Sequence, residues 1–222
     1  KKDLRLVEEP RHIECFDNSN IQGEFPVSAC VVFRDGKPSR NEYRHFNVKT
    51  VIGADDYASM EEVVFRRYSR ILDENSSLPN LIVIDGGKGQ LSSAVKALND
   101  LGLTSKISIV GIAKRLEEIY FPNDPIPLYI DKRSESLKIL QQARNEAHRF
   151  GITFHRKKRS KSSIKSKLDS LKGIGPSTQK ILLSSFKSLA RLKKSDFKSI
   201  QSLIGDAKAK LIWSWIQEEA GK

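Results

Sequence analysis

The spacing of apolar positions changes several times along the chain, and each change marks an element. Residues 81–85, L-I-V-I-D, place four aliphatic side chains in a row without polar alternation, the pattern of a strand buried on both faces of a sheet. Asp85 ends that run. Gly86 and Gly87 permit a sharp turn, and Leu91, Ala94, Val95, Leu98 and Leu101 then recur at helical spacing. The expected unit is strand, acidic turn, helix. Upstream, Ile13 to Phe16 reads as a short strand closing on Asp17, followed by the turn formers Asn18, Ser19 and Asn20. Val27 to Phe33 is a second strand, Asp35-Gly36 a hairpin turn, and Asn41 to Val48 the returning third strand. From Ala58, the residues Met60, Val63, Val64, Tyr68, Ile71 and Leu72 outline one helix face, with Gly53-Ala54-Asp55-Asp56 as its acidic start. Ile107 to Ile112 is a further buried strand. Glu117 to Phe121 and Leu128 to Ile130 read as short strands around a Pro-rich turn, and Ser134 to Phe150 as a helix.

This order, β-β-β-α-β-α-β and then a helix, predicts a mixed α/β domain with an antiparallel first half and parallel additions, the ribonuclease H-like arrangement. Its first and fourth strands lie side by side, so Asp17 and Asp85 would converge although 68 positions separate them. A carboxylate closing so apolar a strand needs solvent, a backbone turn or a metal, and ligands of open α/β sheets sit beyond the carboxyl ends of the strands. An Asp-Gly turn that caps a helix is one reading; paired metal ligands are the other. The run G-G-K-G-Q does not satisfy the phosphate-loop spacing. Convergent carboxylates would attract Mg²⁺ or Mn²⁺, of which Mn²⁺ accepts an imidazole more readily. His148 is the third candidate: Leu140, Arg144 and His148 share a helical ridge while Leu137, Ala143 and Ala147 can face the sheet. A capping or surface role is the ordinary alternative for such a histidine. His12 and His45 lie in or beside strands with no adjacent carboxylate, and His155 lies in the exit segment.

Charge changes the picture by its location. Of the net +12, residues 1–156 contribute 23 Lys and Arg against 22 Asp and Glu, whereas residues 157–222 contribute 16 against 5. A balanced domain therefore precedes a compact basic one, which points to a polyanionic partner, most simply nucleic acid. Three segments are expected: a domain at 1–156, a basic Ser-rich tether at 157–166, and a helical domain at 167–222. In the last, Leu168, Leu171, Ile181, Leu182, Phe186 and Leu189 outline two helices around L-K-G-I-G-P, a helix-hairpin-helix signature. Backbone N–H groups around Lys172, Gly173, Ile174 and Gly175 would face a phosphate. A weaker copy at Ser202 to Asp206 offers Ile204 and Gly205, and Trp213 and Trp215 read as core. A protein-binding helical pair is the alternative. Neither a membrane span nor an export signal is expected, and Cys15 and Cys30, without a C-x-x-C spacing, read as packed thiols of a reducing cytoplasm. Beginning at Lys1 rather than Met, the chain is expected to be part of something longer.

Four motifs in order, E-C-F-D-N-S-N, G-A-D-D-Y-A-S-M, V-I-D-G-G-K-G-Q-L and A-R-N-E-A-H-R-F-G-I-T-F-H-R, resemble the carboxyl-terminal half of UvrC, the nuclease subunit of bacterial nucleotide excision repair, from about Arg11 to the end. The resemblance implies a ribonuclease H-like endonuclease that makes the 5′ incision, with Asp17, Asp85 and His148 as catalytic metal ligands for Mg²⁺ or Mn²⁺. Asp56 matches a further acidic position of the family, and Arg144 a basic one expected near DNA. It also implies damaged double-stranded DNA and a UvrB-type helicase subunit as partners, a tandem hairpin pair, no membrane, and a monomer. Nothing resembles the family's 3′-cutting domain, its cysteine cluster or its helicase-docking segment. A binding-only domain would keep the fold and use its acidic turns as caps, whereas a transposase-like or RNA-cleaving relative would share the metal site.

Overall fold

The structure is a computed structural model that describes residues 1–19, 27–51, 53, 55–114, 117–169, 171–186 and 188–220. It divides into two compact units, Lys1–His155 and Arg156–Lys222. The first is built on a mixed sheet of β1 (His12–Ser19), β2 (Val27–Arg34), β3 (Lys37–Pro38), β4 (Arg44–Asn47), β5 (Leu81–Asp85), β6 (Ser108–Ile112) and β7 (Ile119–Tyr120). Its order is β3-β2-β1-β5-β6-β7, with β4 also on β2. β1 runs antiparallel to β2 and parallel to β5, pairing Ile13 with Leu81 through Phe16 with Ile84. The expected adjacency of these two strands is thus present.

Helices cover both faces. α1 (Asp56–Asp73) and α2 (Lys88–Asp100) bury Met60, Val63, Val64, Tyr68, Leu91, Ala94 and Leu98 against Phe16, Ile82, Ile84 and Ile109. α3 (Glu135–Asp169) buries Leu137, Leu140, Ala143 and Ala147 against Cys15, Leu81, Val83 and Val110 on the opposite face. Successive strand residues point to opposite faces. Cys15 and Val83 therefore commit Asp17 and Asp85, two residues on, to the α3 side, while Glu14 and Phe16 serve the α1 side.

Several local expectations are corrected. The expected third strand Asn41–Val48 shortens to β4, because its start belongs to a 3₁₀ turn at Arg40–Glu42 that follows the unexpected β3 and that Arg34 pins by donating to both Glu42 oxygens at 3.1 and 2.7 Å. Of the Leu128–Ile130 strand, one bridge between Leu128 and Ile119 forms. Leu72 lies at the margin of its helix face and is 38 % exposed. The backbone of 157–166, expected as a tether, continues α3 as helix. Asn20 lies outside the described residues.

The second unit has its own core, in which Leu168, Ile174, Leu182, Leu192, Ile200, Ala209, Ile212, Trp215 and Ile216 are buried. Around it lie α4 (Pro176–Phe186), α5 (Leu189–Lys194), α6 (Phe197–Ile204) and α7 (Asp206–Ala220). α5, which no apolar period announces, starts where Ser188 accepts from Arg191 N–H at 3.2 Å. Ile181, expected on an apolar face, is 41 % exposed.

The α1 side of β1 contains a buried charge. Glu14 is fully buried and accepts from Arg67 Nε at 3.2 Å, Tyr68 Oη at 3.0 Å and Cys30 Sγ at 3.6 Å. His12, expected without a carboxylate nearby, has Nε2 3.4 Å from Glu14 Oε1, because residues two apart on a strand share a face. Burial by itself would raise the Glu14 carboxyl, but the close His12 ring, the Arg67 hydrogen bonds and the Arg67 charge hold it down at about 2. Arg67→Met should cost about 3–5 kcal/mol in urea unfolding by stranding that charge, and Glu14→Gln in the same chain should recover part of the loss. A loss well under about 1 kcal/mol would show that Arg67 does not hold Glu14 ionised.

Candidate metal centre

Three elements converge at the carboxyl ends of β1 and β5. Asp17 and Asp85 enter from the sheet and His148 from α3, each offering one ligand atom within 4.8 Å of the others. Asp17 is 2 % and Asp85 5 % exposed, whereas the His148 side chain is 47 % exposed, so the cluster has buried acidic walls and one open side. His148 Nδ1 faces Asp17 Oδ2 at 3.1 Å. Both Asp85 oxygens are buried and make no hydrogen bond; the nearest cation, Lys114 Nζ, stands 3.8 Å away. Burial and then the neighbouring Asp17 charge push the Asp85 carboxyl up to about 6, against the pull of Lys114, Arg144 and His148.

An unsatisfied buried carboxylate is costly. Two carboxylates and an imidazole, with two carboxylate oxygens that accept no hydrogen bond, form a donor set that fits a hard divalent cation. Asp17, Asp85 and His148 would hold it. Asp85 is not a helix cap: α2 begins after Gly87, without a capping side chain.

The remaining sequence candidates fall elsewhere. Asp56 is the first residue of α1, but the cap is Asp55, whose carboxylate accepts from Tyr57 and Ala58 N–H at 3.0 Å each. Asn18 donates to the Asp56 carbonyl at 2.8 Å, so Asp56 borders the cluster without joining it. Arg144, expected at the DNA, is only 12 % exposed and donates to Glu117 at 3.1 Å. Lys114 and Glu117 were not singled out from sequence. The signal lay in β6, whose Ile112 pairs with Asp85 and places the residues that follow it at the same sheet edge. His45 is not one of the clustered ligands; its ring stacks on Phe150 and Phe154 at 3.6 and 4.2 Å between centroids.

In the helical unit Lys172, Gly173 and Gly175 are exposed. Ile174 is 5 % exposed in the core, so its side chain is unavailable to a ligand. Gly173 has φ +94°, and a Cβ there would meet Leu211 Cδ1 at 3.0 Å, whereas a Cβ on Gly175 would meet nothing within 4 Å. Gly205, at φ +80°, ends α6 and donates its N–H to Gln201 O at 2.9 Å. Ile204 packs on the core, as does Trp213.

The family model for the UvrC RNase H endonuclease domain matches residues 1–152. The chain belongs to that family. Its mixed sheet and flanking helices are accordingly of ribonuclease H-like endonuclease type, as the element order predicts. The UvrABC system protein C of Flavobacterium psychrophilum is 66% identical over 212 residues, which is 96% of this chain and 35% of that protein. The Porphyromonas gingivalis protein of the same name is 56% identical over 219 residues, 99% of this chain and 37% of that protein. The chain therefore spans little more than a third of the length of these relatives. Among solved structures, the catalytic domain of human endonuclease V aligns with TM-score 0.42 and 13% identity over 71% of this chain and 88% of that one. No helix of the described residues is long and apolar enough to cross a membrane.

Two measurements test the centre. Native Asp85 takes up its proton at about 6 rather than 3.8, so in chelator its contribution to stability should fall as pH rises from about 4 to about 6, by on the order of 2–3 kcal/mol. Asp85→Asn should abolish that slope. Mn²⁺ at a hundred times its dissociation constant should stabilise the parent by about 2.7 kcal/mol and Asp85→Asn far less; equal stabilisation would place the ion elsewhere.

Proposed function

We propose that the first unit is a divalent-metal-dependent DNA endonuclease that makes the 5′ incision of nucleotide excision repair, and that residues 167–222 bind the DNA backbone as a tandem helix-hairpin-helix module. The observation that carries this reading is the Asp85 carboxylate, buried without a hydrogen bond beside Asp17 and His148 in a chain of the UvrC endonuclease-domain family. Mg²⁺ or Mn²⁺ held by Asp17, Asp85 and His148 would supply Lewis-acid activation of the phosphodiester and a lowered pKa for water. Each protein group has a separate task. Asp17 orients the imidazole, with Oδ2 facing His148 Nδ1 at 3.1 Å. Glu117 anchors Arg144, whose charge, together with that of Lys114, offsets the repulsion of Asp17 and favours ionised Asp85. A proton on Asp85 would compete with a cation, so incision should rise as pH climbs past about 6.

The second unit supports the DNA reading through its charge and its first hairpin. Lys172 and the open space over Gly175 suit close approach of a phosphate. The backbone contributes there; Ile174 anchors the turn from within the core. The second hairpin would contribute less, since Gly205 N–H is used to end α6. Damaged double-stranded DNA is the proposed substrate, presented by a UvrB-type helicase subunit in the pre-incision complex.

An incision assay with Mg²⁺ or Mn²⁺ in the full-length protein and its repair partners tests the chemistry. Asp85→Asn and His148→Ala should lose 5′ incision by orders of magnitude while DNA affinity is kept; normal incision by Asp85→Asn would sink the proposal. A salt series tests the basic unit separately. Lys172→Gln should reduce the slope of log affinity against log salt by about 1, and Gly175→Val should weaken binding similarly for all DNA sequences. An unchanged slope and affinity in both would assign this unit to a protein partner.

A further inference from the structure

Beside the cluster lies a second feature that metal binding does not explain. Tyr57, the second residue of α1, is 59 % exposed, yet its position is fixed from both sides. Its N–H donates to the Asp55 carboxylate at 3.0 Å, and the carbonyl of the preceding Asp56 is held by Asn18, the neighbour of Asp17. The ring lies against Gly89 in the first turn of α2. A Cβ at residue 89 would stand 2.5 Å from Tyr57 Cε1, 2.7 Å from Cζ and 2.9 Å from Oη. Glycine inside a helix is unfavourable relative to alanine, and Gly89 is not among the glycines with positive φ. What residue 89 needs is the absence of a side chain, because the ring occupies that space.

Tyr57 lines a depression with Asp55, Asp56, Gly87, Lys88, Gly89 and Gln90. Its Gly87 edge is two residues from Asp85, a Cα separation of at most about 7 Å, so the depression lies at the same end of the sheet as the metal centre. The charges along it decide what can enter. Lys88 turns its ammonium to the Pro125 carbonyl at 2.6 Å and lies over the Tyr120 ring at 5.2 Å, whereas Asp55 and Asp56 flank the tyrosine. A phosphate would meet like charge there; a neutral base would meet a flat, pre-positioned aromatic face. Stacking of that kind tolerates any base, which suits an enzyme whose cut position is not set by sequence.

We propose that Tyr57 is a stacking platform for one base of the cleaved strand beside the scissile phosphodiester, held in place by the missing side chain at Gly89. The inference rests on the endonuclease reading above, and its test separates the two. DNA carrying 2-aminopurine at successive positions about the cut is bound to the non-cleaving Asp85→Asn chain. One position should be quenched, the quenching being lost in Tyr57→Ser, kept in Tyr57→Phe and lost in Gly89→Ala, whose thermal midpoint should not fall. In the metal-competent chain, Tyr57→Ser should lower incision on the order of tenfold. Removing the base at the quenched position should lower parental incision by the same factor and leave Tyr57→Ser unchanged. Equal quenching and equal incision for parent and Tyr57→Ser would overturn the platform alone. Incision that survives Asp85→Asn would overturn the endonuclease reading and the platform with it.

Discussion

The parallel pairing of β1 with β5 is the constraint on which the rest depends. It joins segments 68 residues apart, Ile13 with Leu81 and onward to Phe16 with Ile84, and so sets two acidic residues side by side at one sheet edge. Neither strand could hold such a charge in isolation. The apolar run that makes β5 fully buried is also what strips water from Asp85, and the same register brings Asp17 close enough to oppose its ionisation. A slip of one residue in either strand would turn its aspartate to the other face, among Met60, Val64 and Leu91. Burial, register and reactivity are thus one property of this pair of strands.

The two faces of the sheet treat charge in opposite ways. On the α1 side Glu14 is surrounded by donors and held ionised by Arg67, Tyr68 and His12. On the α3 side Asp85 is left without a hydrogen bond. Both carboxylates are similarly removed from solvent, so the contrast lies in their partners. A network that satisfies every oxygen serves the architecture, whereas an oxygen pair left waiting marks a place for something the chain does not itself supply.

Much of this was legible from residue order. The uninterrupted aliphatic run at 81–84 gave β5, the helical spacing of Met60, Val63, Val64 and Tyr68 gave the buried face of α1, and an aspartate after each of two apolar runs gave the acidic pair, although β1 continues past Asp17 through Asn18 and Ser19, which were expected to turn. What stayed hidden depends on side chains meeting across space. Arg144 reads as a free cation beside DNA until Glu117, 27 residues earlier, is seen to take it. The break between β3 and β4 rests on the Arg34–Glu42 pair, which no periodicity encodes. His12 was discounted for want of an adjacent acid, although a strand makes neighbours of residues two apart. A basic, serine-rich composition at 157–166 argued for a tether, but lysine and arginine are also good helix formers, and α3 simply continues through them.

The burial of both cysteines has a practical consequence. Cys15 and Cys30 are fully enclosed and unbridged, and burial raises both thiols well above their ordinary range, so neither presents a thiolate at neutral pH. Maleimide or nitroxide reagents applied to the folded protein would find no native target. One cysteine introduced on the surface of each unit would then carry the only labels, making the chain a ready background for distance measurements between its two units with the native cysteines left in place.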